Sequence, residues 1–175
     1  LRLQLDSKGY LQIDDDIAAG STVAIQFTNH VALGNSGLTG FVQDISSAPR
    51  FSYEITGKGN TVTLPTISPV HTAGDSHDRQ GLIAVGNGIT AKNLTVDGGY
   101  TINKLDTNRL DCGIAATVCD SITMEFVTSK IQWEVSGNPG WESYISGVIG
   151  SYNRNAGWNK IIQMSFTSCT LNCRI

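Results

Sequence analysis

Polarity alternates residue by residue along most of this chain, in short runs broken by turn residues, and that pattern restricts it to β-structure. Successive side chains on a strand point to opposite faces, so a period of two marks a strand with one buried face. Leu1, Leu3 and Leu5 alternate with Arg2 and Gln4, Asp6-Ser7-Lys8-Gly9 forms a turn, and residues 10–13 return. This predicts an N-terminal hairpin. Val23, Ile25 and Phe27 share one face, as do Phe51, Tyr53 and Ile55. Gly57-Lys58-Gly59-Asn60 then turns the chain, and the strand carrying Val62 and Leu64 is ended by Pro65 and Pro69. A short apolar run covers 82–85; Leu94 and Val96 lead into Asp97-Gly98-Gly99, with Tyr100 and Ile102 beyond. A few polar residues separate the set Ile122, Met124 and Phe126 from Ile131, Trp133 and Val135, which predicts a tight hairpin. Residues 144–149 and 161–166 complete the strands. Residues 14–20 are the best helical candidate, and they span barely two turns.

Many short strands with regularly spaced turn signals predict an all-β, antiparallel β-sandwich, immunoglobulin-like or jelly-roll-like, with residues 1–175 forming one domain. No repeat of fixed period stands out, which argues against a propeller or solenoid. Phe27, Tyr53, Val62, Val85, Phe126, Trp133, Ile149, Ile162 and Phe166 are the expected core. Charged residues make up 15% of the chain and the net charge is -3, so there is no basic footprint for nucleic acid. No apolar run approaches the ~20 residues of a membrane helix, so no membrane insertion is expected. The chain starts at Leu1 rather than Met, consistent with a mature or trimmed fragment of a longer precursor.

The four cysteines lie in two close pairs, Cys112 with Cys119 and Cys169 with Cys173. An even, clustered set in a chain of few charges predicts two disulfides and an oxidising compartment, hence a secreted or surface-exposed protein. Local pairing is favoured over crossed pairing because small loops close at little entropic cost. The spacings C-x6-C and C-x3-C fit structural zinc poorly.

Three segments could carry chemistry. His71, Asp75 and His77 lie in a Gly-containing stretch able to bring imidazoles together on a metal, although such residues also serve as turn formers. Asp14-Asp15-Asp16 suits calcium by charge, but neighbours on a strand point apart. The third segment, 138–160, interleaves aromatic rings with amides: Trp141, Tyr144, Tyr152, Asn153, Arg154, Asn155 and Trp158. A sugar offers an apolar C–H face and a rim of hydroxyls, so rings that stack and amides that bond in pairs are what glycan recognition requires. The same tryptophans would also suit the capping of a core. No nucleophile elbow, P-loop or H-E-x-x-H motif is present, and no cofactor is expected.

The size, the Thr/Asn/Gly-rich alternation and the scarcity of charge resemble the receptor-binding domain of bacterial chaperone–usher fimbrial tip adhesins. That resemblance implies a lectin-like, non-catalytic domain whose partner is a glycan or other host-surface receptor, within a pilus assembly. A structural subunit of a surface fibre or virion, contacting other subunits, is one alternative expectation. A secreted hydrolase using a pair among Glu54, Glu125, Glu134 and Glu142 is another.

Overall fold

In a computed structural model the described residues are mostly β-strand, and the strands pair mostly in parallel and not as an antiparallel sandwich. The described residues are 3–5, 10–13, 17–36, 38, 40–42, 51–65, 78–99, 101–103, 109–136, 142–152 and 163–175. Among them, strands β1 (Leu3–Leu5) and β2 (Tyr10–Ile13) form the expected antiparallel hairpin. From there the chain winds in coils laid one on the next. The first holds β2, β3 (Thr22–Gln26) and β4 (Val31–Ala32); the second holds β5 (Gly40–Val42), β6 (Ser52–Thr56) and β7 (Thr61–Leu64). In the third coil these merge into one long bent strand, β8 (Asp78–Gly98), followed by β9 (Thr101–Asn103). The fourth repeats this with β10 (Arg109–Ser129) and β11 (Glu134–Ser136). The fifth separates again into β12 (Glu142–Ile145), β13 (Ile149–Tyr152), β14 (Gln163–Thr167) and β15 (Thr170–Leu171).

Among the described residues every pairing between coils is parallel. The result is a strongly curled sheet of 13 strands, with β9 and β11 forming a second sheet of 2 strands. An immunoglobulin or jelly-roll sandwich requires antiparallel neighbours, so that expectation is overturned. The expectation against a solenoid falls with it. Coil length varies: Thr22 pairs with Ser52, Thr61 with Thr95, and Ser121 with Gln163, steps of 30, 34 and 42 residues. The anticipated hairpin around residues 127–130 is also absent. Residues 122 and 124 lie within β10, while β11 pairs in parallel with β9 of the preceding coil.

Parallel stacking puts equivalent residues in columns. Val23, Tyr53, Ile89 and Ile122 follow one another down the interior, as do Ile25, Ile55, Ala91 and Met124. Of the expected core, Phe27, Tyr53, Val62, Val85 and Trp133 are buried and Ile149 is partly buried against them. Ile162 lies outside the described residues. Phe126 and Phe166 are corrections, being 53% and 46% exposed. Phe126 breaks its alternation because it turns a corner with a left-handed backbone, φ 53, stacked between Asn93 (φ 50) and Ser168 (φ 51) in the adjacent coils. A bulky side chain rarely adopts that conformation, and here the corner dictates it.

Tyr53 carries the one buried side-chain polar atom that finds no hydrogen-bond partner among the described residues. Burial pushes its phenol above the ordinary tyrosine range. Tyr53→Phe is therefore expected to raise stability by about 1 kcal/mol, since it removes an unpaired buried hydroxyl and keeps the ring. The raised folded pKa means that the phenol's contribution is present below the unfolded pKa, about 10, and is lost as pH rises through the folded one. The variant should lose that alkaline dependence. Urea midpoints at neutral pH and above about pH 10 measure both effects; an unchanged or lowered midpoint at neutral pH would show that the hydroxyl is paired.

Candidate functional site

The coils do not wind as simple ellipses. Asp111 and Thr117 are six residues apart on β10, a span of about 20 Å on a straight strand. Yet the Thr117 hydroxyl lies 3.1 Å from Asp111 Oδ2. The strand therefore folds sharply between them, and the side carrying these two groups is concave.

Glycines make that corner possible. A Cβ at Gly40 would come within 2.6 Å of the Gly81 carbonyl, and one at Gly81 would strike the Gly113 carbonyl. A Cβ at Gly113 would come within 2.8 Å of the Val148 and Ala115 carbonyls. Successive coils thus approach too closely for any side chain at this angle of the solenoid. The fifth coil follows the bend through two backbone bonds, Ser146 N–H to Cys112 O at 3.1 Å and Ala115 N–H to Val148 O at 3.0 Å.

The inner residues of the bend, Cys112, Ile114, Ala115 and Val118, belong to the main core. Their neighbours on the opposite face, Asp111 and Thr117, belong to a polar network. Ser151 Oγ donates to Asp111 Oδ2 at 2.7 Å, and Thr117 Oγ1 donates to the same oxygen. Arg79 Nε donates to Thr117 Oγ1 at 3.0 Å. The Thr117 and Ser151 hydroxyls also lie 3.5 Å from each other, so the carboxylate and both hydroxyls form one network. Asp111 and Thr117 are almost fully buried. Beside this network Tyr10, Ala84, Val85 and Cys119 form a small separate apolar cluster, and Tyr10 donates its hydroxyl to Arg79 O at 2.9 Å.

Register aligns three side chains on one wall of the corner: Arg79 pairs with Asp111, and Asp111 with Tyr144. The opposite wall aligns Val85, Thr117 and Ser151. Tyr144 is at the outer end of its column and is 36% exposed. Of the sequence-derived ligand set, the structure therefore brings Tyr144 to this corner. Tyr152 is on β13, paired with Val118, beside Ser151. Trp141, Asn153, Arg154, Asn155 and Trp158 lie outside the described residues, as do His71, Asp75 and His77 and Asp14 to Asp16. Among the described residues no group of three or more His, Cys, Asp or Glu side chains is placed to hold a metal.

The predicted disulfides are corrected: no disulfide joins the four cysteines in the structure. Cys112 faces the main core while Cys119 joins the small cluster on the other face of the same strand. Their side chains point apart, and a disulfide needs them to converge. Cys169 Sγ turns to Met124 O at 3.4 Å and Cys173 Sγ to Ser129 Oγ at 3.2 Å, so each thiol meets a different part of β10.

Sequence reasoning missed Arg79, Asp111, Thr117 and Ser151. No local pattern joins residues separated by 38 and 40 positions, and the only short-range sign is the pair of glycines flanking the bend at 113 and 150. Comparison with family models, with curated proteins and with solved structures yields no match for this chain.

Proposed function

We propose that this chain is a non-catalytic, glycan-binding β-solenoid domain of a secreted or surface-exposed protein, with adhesion as its role. The observation that supports this reading is the Arg79–Asp111–Tyr144 column facing Thr117 and Ser151 across the concave corner. Tyr144, 36% exposed, shares the fifth coil with Ser151, whose partly exposed hydroxyl is fixed in orientation by the buried Asp111 carboxylate. Such preorganisation favours a ligand that is itself part apolar face and part hydroxyl rim. Outside the corner, Thr61, Thr95, Thr128 and Thr170 form a partly exposed column of hydroxyls in register.

Hydrolysis is less well supported. Two carboxylates would have to flank a scissile bond. Glu125 is held by Lys92 at 3.1 Å, Glu54 and Glu134 are exposed on outward positions, and Asp111 is buried and engaged by two hydroxyls.

Glycan-array screening of the whole chain, followed by titration of the best ligand, tests the proposal. Tyr144→Ala is expected to weaken binding about tenfold, the loss of one stacked ring at roughly 1.4 kcal/mol, with little change in melting temperature. Binding that survives Tyr144→Ala unchanged would remove the corner from the site, and an array without a ligand would remove the glycan.

A further inference from the structure

Phe126 stands where a bulky side chain has least reason to be. It turns its corner with φ 53, and the same corner is turned by Asn93 (φ 50) in the third coil and Ser168 (φ 51) in the fifth. Asn tolerates this left-handed backbone and Ser is small, whereas a phenylalanine there is a strained exception. The turn therefore does not call for a ring. Neither does the core, since Phe126 is 53% exposed. Among the described residues it is the one large apolar side chain exposed in the first four coils. Its own coil is covered on one side by β8 and on the other by β14 and β15, so the exposure does not come from the end of the stack. Backbone strain kept at such a position is characteristic of ligand contacts.

We propose that Phe126 is the stacking platform of a second binding site, for a neutral pyranose. Every position around the ring is polar. Asn93 and Ser168, both exposed, flank it at one coil spacing, about 4.8 Å, on either side. Lys92 and Glu125 precede it as an ion pair at 3.1 Å, and Thr95 and Thr128 follow it as a partly exposed pair in register. A pyranose carries an apolar face of axial C–H bonds inside a rim of hydroxyls. Laid on the ring, it would present that rim to an amide, three hydroxyls and an ion pair, which between them donate and accept. A protein partner needs further apolar area around an aromatic anchor, and none of these neighbours supplies it. A nucleic acid or an acidic sugar needs an uncompensated cation beside the ring, and Lys92 is held by Glu125. The proposal rests on the glycan-binding reading of the chain, and it adds a site that shares no residue with the Asp111 corner.

Titration of the whole chain with cellotetraose, followed by NMR, tests this. That sugar is neutral, and its rings carry axial C–H bonds on both faces. Saturable shifts with a dissociation constant of about 1 mM or tighter are expected. Phe126→Asn installs the residue that already turns this corner at position 93. It should raise the dissociation constant about tenfold, through loss of one stacked ring, and leave the urea midpoint unchanged or higher. Phe126→Trp keeps a ring on the same backbone and should bind at least as tightly. The proposal is overturned by an absence of saturable binding up to about 20 mM, by equal binding in Phe126→Asn, by loss of binding in Phe126→Trp, or by a lowered urea midpoint in Phe126→Asn. Cellotetraose binding lost in Tyr144→Ala and kept in Phe126→Asn would place the sugar at the Asp111 corner and strike the ridge. The reverse pattern would keep the ridge and strike the corner, so the two sites fail separately.

Discussion

Gly113→Ala is expected to lower stability by about 3 kcal/mol or more, enough to leave much of the chain unfolded if its total lies in the common range of about 5–15 kcal/mol. The new methyl group would stand within 2.8 Å of two carbonyl oxygens, Ala115 and Val148, and 2.9 Å from the Gly150 nitrogen. All three are backbone atoms of the bend and of the coil lying on it. A side chain can change rotamer to make room, but these atoms can move only by opening the corner, which breaks the bonds between Cys112 and Ser146 and between Ala115 and Val148. Gly81→Ala should behave alike, because its Cβ would strike the Gly113 carbonyl. Gly88→Ala is the informative control. It lies on the same strand as Gly81, but its new methyl would meet the Ser121 hydroxyl at 3.1 Å and the Ser52 hydroxyl at 3.3 Å. Those are ends of side chains that can turn away, at the cost of the Gly88 N–H bond to Ser52 Oγ, so a loss of no more than about 1 kcal/mol is expected. Urea unfolding of the three variants decides the matter. A Gly113→Ala protein as stable as Gly88→Ala would mean that the coils are not packed backbone to backbone at this corner.

The contrast between these glycines shows what the sequence could and could not convey. Alternation at Val23, Ile25, Tyr53 and Ile55 gave the strands and their inward faces correctly, because a period of two is a property of each strand by itself. It says nothing about which strand lies beside which, or in what direction. Gly57-Lys58-Gly59-Asn60 has the composition of a hairpin turn. Here it is a corner of a coil, with Lys58 at φ 51 and Gly59 at φ 80, and the strands on either side both pair with β8. Turn chemistry fixes the local backbone and leaves the return direction to packing. The coil repeat was hidden because its corners and connections differ in length while its strands stay in register. Tyr144, which the structure sets beside Asp111, stood out in the sequence because an aromatic residue in an amide-rich segment is visible alone. Asp111 was not, because a buried aspartate and a solvated one are written with the same letter.

Asp111→Ala is expected to cost about 3 kcal/mol and to impair the corner even where the chain stays folded. Two hydroxyls, Thr117 and Ser151, direct their protons at one carboxylate oxygen, and both lose their acceptor together. A buried donor left without a partner costs about 1–3 kcal/mol, and two such donors account for the expected loss. Ser151→Ala removes one donor and leaves the carboxylate with Thr117, so it should cost only about 1 kcal/mol. The two changes share a bond, and their effects should not add: a double-mutant cycle should return a coupling of about 1 kcal/mol or more. Asp111→Asn separates charge from hydrogen bonding, because its amide oxygen can take the place of Oδ2 and still accept from both hydroxyls. If the carboxylate serves to hold the two walls of the bend together, Asn should recover a large part of what Ala loses, in stability and in glycan binding alike. If stability is recovered and binding is not, the negative charge itself is required at the site. Full additivity of the Ala changes would show that the bond between coils four and five contributes nothing, and the concave corner would then be held by its glycines alone.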